Sequence, residues 1–375
     1  MKIEMVDVLG QYNKIKKEID AAVLNVVSEG QYINGPDVKA FNEELAAYQQ
    51  AKFCIACGNG TDALQIALMA LGLQPGDEVI TTTFTYVATA EVIALLRLNL
   101  VMVECNADNF TIDVNAIEKA ITPKTKAIVP VHLYGQCADM EAIMALARKH
   151  NLFVIEDAAQ SISSEYIFDD DSRKKSGTIA HIGCTSFYPS KNLGAYGDGG
   201  AIFTNDDALG ERIKMIANHG QKVRYYHDEI GVNSRLDSIQ AAILRIKLKH
   251  LNEYSKLRND VADFYDNALK NIEGLQIPAR KKNSTHVFHQ YTLKIKNGKR
   301  DALAKYLNEQ SIPTMIYYPV PLHLQKAYRK DGIGEGSFPI SEQLCKEVLS
   351  LPIHTEMNME QMNFICENVK RFFNQ

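Results

Sequence analysis

The chain has 375 residues, with 46% hydrophobic and 23% charged side chains, and 41 Lys+Arg against 45 Asp+Glu leave a net charge of −4. That apolar fraction excludes intrinsic disorder, and the length predicts about two domains. The charge balance offers no basic excess for nucleic acid or an anionic membrane surface.

The first thirty residues predict a helix, because Ile15, Ile19, Val23 and Val26 recur at helical spacing. Its first ten, MKIEMVDVLG, carry acids and no apolar run, so no secretory signal is expected and the reading is cytoplasmic. A second helix is predicted over Val38–Gln49. Apolar runs then alternate with helical patterns: FCIAC, a helix over Asp62–Leu71, VITTT, LVMVE, a helix over Val114–Ala120, KAIVPV, a helix over Met140–Lys149, and LFVIED. The longest apolar stretch, Val92–Val103, is broken by Arg97 and Asn99 and is too short to span a bilayer. Strands spaced by helices of this length imply an α/β fold with a mainly parallel sheet covered on both faces.

After Thr204 the pattern changes. Helices are expected over Asp206–Asn218 and over Leu236–Leu269. The remainder mixes strands, HQYTLKIK and PTMIYYPV, with helices over Arg300–Gln310, Glu342–Leu349 and Met359–Phe373. This predicts a large α/β domain over residues 1–250 and a smaller α+β domain over 251–375. The charged stretch Phe168–Gly177 reads as a surface loop.

Seven cysteines are scattered along the chain, a pattern that fits reduced thiols better than a disulfide framework. Cys54 and Cys57 form a C-x-x-C, but on a strand positions three apart face opposite ways and cannot clamp one metal. They read as core residues, and no metal site is expected. The sequons at Asn109 and Asn283 carry no meaning in a cytoplasmic protein.

Three separated segments carry chemistry. In FVIEDAAQS an apolar strand delivers Asp157 to its carboxyl end, where parallel sheets place their ligands; a carboxylate there can equally cap the next helix. In SFYPSKNLGAYGDGG, Lys191 lies in a Pro- and Gly-rich connection flanked by aromatics. A loop lysine is ordinarily a solvated charge. Here close backbone packing would strip water from the amine, lower its pKa and leave it free to form a Schiff base. In GNGTDALQIAL, small residues open onto a helix N-terminus, a ready anion site that is also an ordinary strand–helix connection. An anion cradle, an acid at a strand end and a desolvated lysine together suggest pyridoxal 5'-phosphate (PLP), which needs all three.

The sequence resembles the DegT/StrS family of PLP-dependent nucleotide-sugar aminotransferases, of the fold-type I aminotransferase superfamily. The resemblance runs along essentially the whole chain, through GPDVKAFNEELAAY, GTDAL, PGDEVITTTFTYVATAE, AITPKTKAIVPVHLYGQCADM, EDAAQS, SFYPSKNLGAYGDGGA, NHG, GVNSRLDSIQAA and YYPVPLHLQ. It implies that Lys191 is the Schiff-base lysine and proton shuttle, that Asp157 holds the pyridinium proton and that Gln160 meets the ring's 3-hydroxyl. It further implies that Tyr86 stacks on the ring and that Gly60, Thr61 and Ser186 bind the phosphate. Asn233 would reach the phosphate from the other copy of a homodimer with shared active sites.

Within the family, QCADM, CTSFYPSKNLGAYGDGGAIFTNDD and NHGQKVRYYH look most like the aminotransferases for UDP-2-acetamido-2-deoxy-3-oxo-D-glucuronate. Those use L-glutamate on the way to surface polysaccharides. The alternatives are a dTDP-3-keto-6-deoxyhexose or a UDP-4-keto sugar. Arg235 is the expected partner of a sugar carboxylate, since a guanidinium binds one in two-pronged fashion; the same side chain could instead serve the glutamate donor or a surface ion pair. Tyr317-Tyr318-Pro319 stands where those relatives carry His-Tyr-Pro, which puts a neutral phenol in place of a cationic contact on the substrate side. Three rivals are an ordinary amino-acid aminotransferase, a PLP-dependent sugar dehydratase and a non-catalytic regulator. The dehydratase branch replaces the lysine by histidine, and Lys191 is present.

Overall fold

The computed structural model describes residues 2–374. Helices α1 (Val8–Glu29) and α2 (Pro36–Gln49) open the chain, and α1 buries Ile15, Ile19 and Val26 as its spacing predicts. Next come β1 (Phe53–Cys57), α3 (Gly60–Ala70), β2 (Glu78–Thr82), α4 (Ala88–Leu95) and β3 (Asn99–Val103). They are followed by α5 (Val114–Ala120), β4 (Thr125–Val129), α6 (Met140–His150) and β5 (Phe153–Asp157). A short hairpin of β6 (Glu165–Ile167) and β7 (Arg173–Lys175) precedes β8 (Ile182–Ser186) and β9 (Gly200–Thr204).

Seven of these strands form one sheet in the order β1-β9-β8-β5-β4-β2-β3. Only β9 runs against its neighbours; every other pairing in the sheet is parallel. The sheet is mixed and mostly parallel, as expected, and both faces are packed. One face lies against α3 through Ala63, Ile66, Ile155, Ile182 and Ile202. The other lies against α2 and α6 through Phe41, Leu45, Phe203, Ile128, Met140 and Val154. Because β1, β2, β5 and β8 share a direction, their carboxyl ends open on one edge, where such sheets bind ligands.

The chain continues through α7 (Asp207–Ala217), the exposed hairpin β10 (Gln221–Val223) and β11 (Tyr226–His227), α8 (Ser238–Lys249) and α9 (Leu251–Leu269). A three-stranded antiparallel sheet follows, made of β12 (Leu275–Gln276), β13 (Tyr291–Ile295) and β14 (Val348–Leu351). With it go α10 (Arg300–Glu309), α11 (Pro339–Glu347) and α12 (Met359–Phe373). Val261, Tyr265, Leu293, Leu303 and Ile365 form its core, and Ile3 joins them from the other end of the chain.

Several expectations need correction. The stretch Phe168–Gly177 is no plain loop: Tyr166 pairs with Lys174 and Ile167 with Arg173, Glu165 bridges Arg173 and Lys175, and Ser176 and Gly177 are buried. The helix expected over Leu236–Leu269 breaks at His250, which ends α8 and precedes α9. The helix expected to reach Leu349 stops at Glu347, because VLSL pairs along β13 and is buried throughout. The strand expected in PTMIYYPV reduces to a bridge between Met315 and Ser350. Pro313, Pro319 and Pro321 lack donors, and Tyr317 and Tyr318, joined by a cis peptide, turn to pack beside Phe84, Phe110 and Tyr134. The Val92–Val103 stretch splits at Arg97 (φ +59°) into the end of α4, a helix absent from the sequence reading, and β3. Cys54 and Cys57 do face opposite sides of β1, one beside Phe41 and the other beside Ala63.

Candidate active site

The anion cradle is built at the start of α3. Asn59 caps the helix, its side chain accepting from the Asp62 amide at 2.8 Å, which leaves the first-turn amides of Gly60 and Thr61 with no intrahelical acceptor. Ser186, at the end of β8, closes over them. A Cβ on Gly60 would stand 2.7 Å from the Ser186 Cβ, so only glycine lets the hydroxyl and the helix end approach this closely. Ser234 braces the same turn, accepting from the Gly58 amide at 2.9 Å and donating to Asp62 Oδ2 at 2.6 Å. Its neighbours are the sequence-predicted Asn233, which is exposed, and Arg235, which is half-buried. Among the described residues the Arg235 guanidinium has no ion-pair partner, and neither side chain hydrogen-bonds to another predicted site residue.

Asp157 ends β5 and is 5% exposed. Its Oδ2 accepts from the Thr89 hydroxyl at 2.7 Å and its Oδ1 from the Ala159 amide at 3.2 Å. Gln160 is held at both ends of its amide: Oε1 accepts from the Tyr134 amide at 2.7 Å and Nε2 donates to the Tyr318 hydroxyl at 3.2 Å, which leaves a second N–H for a ligand. Tyr318, expected on the substrate side, therefore sits against a residue expected on the cofactor side. Its ring lies 6.2 Å from that of Tyr86, which is 57% exposed and offers an open aromatic face. The Tyr134 hydroxyl donates to the Tyr317 carbonyl, and burial raises the Tyr317 and Tyr318 phenols above their ordinary range, so both are neutral donors.

Lys191 lies in a tight turn. Its amide donates to the Tyr188 carbonyl at 2.8 Å, and the Ala195 amide returns to the Phe187 carbonyl at 2.7 Å. A Cβ on Gly194 would meet the Pro189 carbonyl at 2.3 Å, so the turn closes only with glycine there. Burial of the amine, partly offset by the charge of Asp157, pulls the Lys191 pKa from 10.5 to about 8. The buried His289 beside it is held neutral, first by burial and then by the charges of Lys191 and Arg258. The neutral form of the amine predominates above pH about 8. The rate at which borohydride traps an aldehyde probe on Lys191 in cofactor-free protein is thus expected to rise through pH 8 and level off. A rate still climbing steeply beyond pH 9.5 would show an ordinary, solvated lysine.

Sequence reasoning missed several buried polar residues. Thr89 lies on the helix that was not predicted. Glu156 is fully buried with His132 (Nε2 to Oε2, 2.9 Å), and it also accepts from the amides of Gly177, Ile179 and Ala180 at 2.9, 2.7 and 2.7 Å. The available signal was a charged residue inside an apolar strand, pointing away from Asp157. Asn192, beside Lys191, and Thr85, beside Tyr86, each keep a buried polar oxygen with no partner among the described residues. An open cradle of amides and a hydroxyl, a buried carboxylate and a desolvated amine fit PLP in its phosphate, ring nitrogen and aldehyde.

Comparison with known proteins gives the same cofactor. The DegT/DnrJ/EryC1/StrS aminotransferase family model matches residues 13–370. The chain is 47% identical over 364 residues to a UDP-2-acetamido-2-deoxy-3-oxo-D-glucuronate aminotransferase from Pseudomonas aeruginosa, covering 97% of this chain and 98% of the relative. It is 47% identical over 375 residues to a pleiotropic regulatory protein from Geobacillus stearothermophilus, covering 100% and 99%. The crystal structure of S. venezuelae DesV in complex with a ketimine intermediate superposes with a TM-score of 0.96 at 38% identity, covering 100% and 99% of the two chains. The fold is that of the fold-type I aminotransferases, the cofactor is PLP and the chain is a sugar aminotransferase.

Proposed function

We propose a function on one premise: the chain belongs to the DegT/DnrJ/EryC1/StrS aminotransferase family. It transfers an amino group from L-glutamate to C3 of UDP-2-acetamido-2-deoxy-3-oxo-D-glucuronate, in the synthesis of a surface polysaccharide such as O-antigen. The observation that carries the chemistry is a lysine amine brought to about pKa 8 next to a buried aspartate, at the sheet edge where the α3 cradle opens. The match with the Pseudomonas relative supports the sugar.

Bound PLP supplies the electron sink on which amino transfer depends. The chain's own residues do the rest. Gly60 and Thr61 amides and the Ser186 hydroxyl bind the phosphate at the helix N-terminus, and the Tyr86 ring covers one face of the cofactor. Asp157 holds the ring-nitrogen proton, and the Gln160 amide meets the ring hydroxyl. Lys191 Nζ takes the proton from the donor's Cα and returns it. Arg235, with no ion-pair partner among the described residues, engages the sugar carboxylate, and the Tyr317 and Tyr318 phenols line the acceptor side as donors.

The working unit in this reading is a homodimer in the cytoplasm, with Asn233 reaching the other copy's phosphate. An apolar groove of about 760 Å³ beside the Lys191 turn, lined by Val8, Leu9, Leu24, Pro189 and Tyr196, supports a second copy there. All seven cysteines are free and buried, which suits a reducing compartment. Among the described residues no helix is long and apolar enough to cross a membrane. We place the domain division near residue 250. A purely regulatory role has no use for a desolvated lysine beside a buried acid.

The test is to incubate pure protein with glutamate and a panel of keto-sugar nucleotides while following 2-oxoglutarate. The UDP-linked 3-keto uronate should turn over fastest, ahead of dTDP-3-keto-6-deoxyhexoses and UDP-4-keto sugars. No product from any 3-keto uronate would end the substrate reading.

A further inference from the structure

Asp157 is held from one side by a residue outside the cofactor cradle. Thr89, the second residue of α4, is 1% exposed, and its hydroxyl donates to Asp157 Oδ2 at 2.7 Å. A helical threonine commonly turns its hydroxyl back to a carbonyl one turn earlier; this one is committed instead to the carboxylate. Asp157 Oδ1 accepts the Ala159 amide. An ionised carboxylate has about four acceptor positions, so with two taken each oxygen keeps capacity for a further donor. Two donors from different segments, α4 and the turn after β5, leave the carboxylate no freedom to rotate. They also draw charge from it, since hydrogen bonds to an ionised oxygen are the strong kind.

We propose that Thr89 is a positioning residue for the cofactor, fixing the orientation and the basicity with which Asp157 takes the ring-nitrogen proton. The proposal rests on the reading of Asp157 as the acid that faces that nitrogen. The start of α4 then serves the ring twice, through Tyr86 just before it and through Thr89 within it.

The test measures the PLP dissociation constant by equilibrium dialysis on the reconstituted full chain. It compares Thr89→Val, which keeps the shape and removes the hydroxyl, with Thr89→Ser, Asp157→Ala and the double variant Thr89→Val/Asp157→Ala. Thr89→Val should weaken PLP binding about tenfold, the scale of one hydrogen bond to a charged group. Thr89→Ser should stay within about twofold, and in the Asp157→Ala background the valine should cost nothing further, since the two residues act as one unit. An equal loss in both backgrounds would show that Thr89 acts by packing, and overturn the proposal. Unchanged binding in Thr89→Val, with a loss in Asp157→Ala, would overturn it and leave the Asp157 reading standing. Unchanged binding in Asp157→Ala would remove both.

Discussion

Replacing Lys191 with alanine is expected to abolish turnover and to leave no PLP on the chain after borohydride treatment and denaturation. The amine carries two jobs in the proposed reaction. It is the covalent anchor of the cofactor, and it is the base at the donor's Cα. General acid–base catalysis alone contributes roughly 10²–10⁴-fold, so losing both roles should lower kcat by at least about a thousandfold. Lys191→Arg should fare no better: it restores a cation but not an amine of pKa about 8. The fold should survive, because Lys191 makes no side-chain hydrogen bond or ion pair among the described residues. The measurement is 2-oxoglutarate formation together with mass spectrometry of the borohydride-treated protein. An alanine variant with wild-type turnover would sink the assignment.

The second large effect is on stability, at a residue that touches no ligand. Glu156 is buried completely and receives four N–H groups, from His132, Gly177, Ile179 and Ala180. Glu156→Ala removes all four acceptor contacts at once and strands three backbone amides in the interior. An unmet buried donor costs about 1–3 kcal/mol, and three amides lose their acceptor together. The urea midpoint of the variant should therefore fall by an amount equivalent to roughly 3–5 kcal/mol. Glu156→Gln should also be destabilised, because its amide NH₂ must face a donor. His132→Phe should cost less, since the carboxylate keeps its three backbone donors. A Glu156→Ala midpoint indistinguishable from wild type would refute the account. The carboxylate ties together β5, which carries Asp157, the turn after β4, and the segment leading into β8, which carries Ser186. Its loss should thus weaken PLP binding in parallel.

The sequence made legible what is carried by contiguous patterns. The βαβ alternation could be read from apolar runs and helical spacing, and the Lys191 turn from a run of aromatics, proline and glycines. What stayed hidden depends on pairs far apart in the chain. The Thr89–Asp157 bond joins residues 68 apart and the Gln160–Tyr318 bond residues 158 apart, and no local periodicity marks either. The helical spacing of Glu342–Leu349 was real up to Glu347; the strand partner supplied by β13 then overrode it. Tyr317 and Tyr318 look like strand residues by composition, yet three nearby prolines each take a ladder donor from their segment and aromatic neighbours draw it to the site. Burial keeps the Tyr317 phenol neutral, which leaves Arg235 as the cation proposed to meet the sugar's carboxylate.

Ile3 completes the core of the C-terminal sheet, and the first residues are tied there again. The Ile353 amide donates to the Met5 carbonyl, Gln361 Nε2 to the Lys2 carbonyl, and Lys14 pairs with Glu356. The segment around Ile3 thus waits for the segment around Ile353 before its partners exist. Until then α1 has only the large domain to pack on, and Ile3 has nothing to fill. A fragment beginning at residue 251 would lack a wall of its own interior. Sequence order and packing order run opposite ways at this seam, so this core closes only when the segments around Ile3 and Ile353 meet.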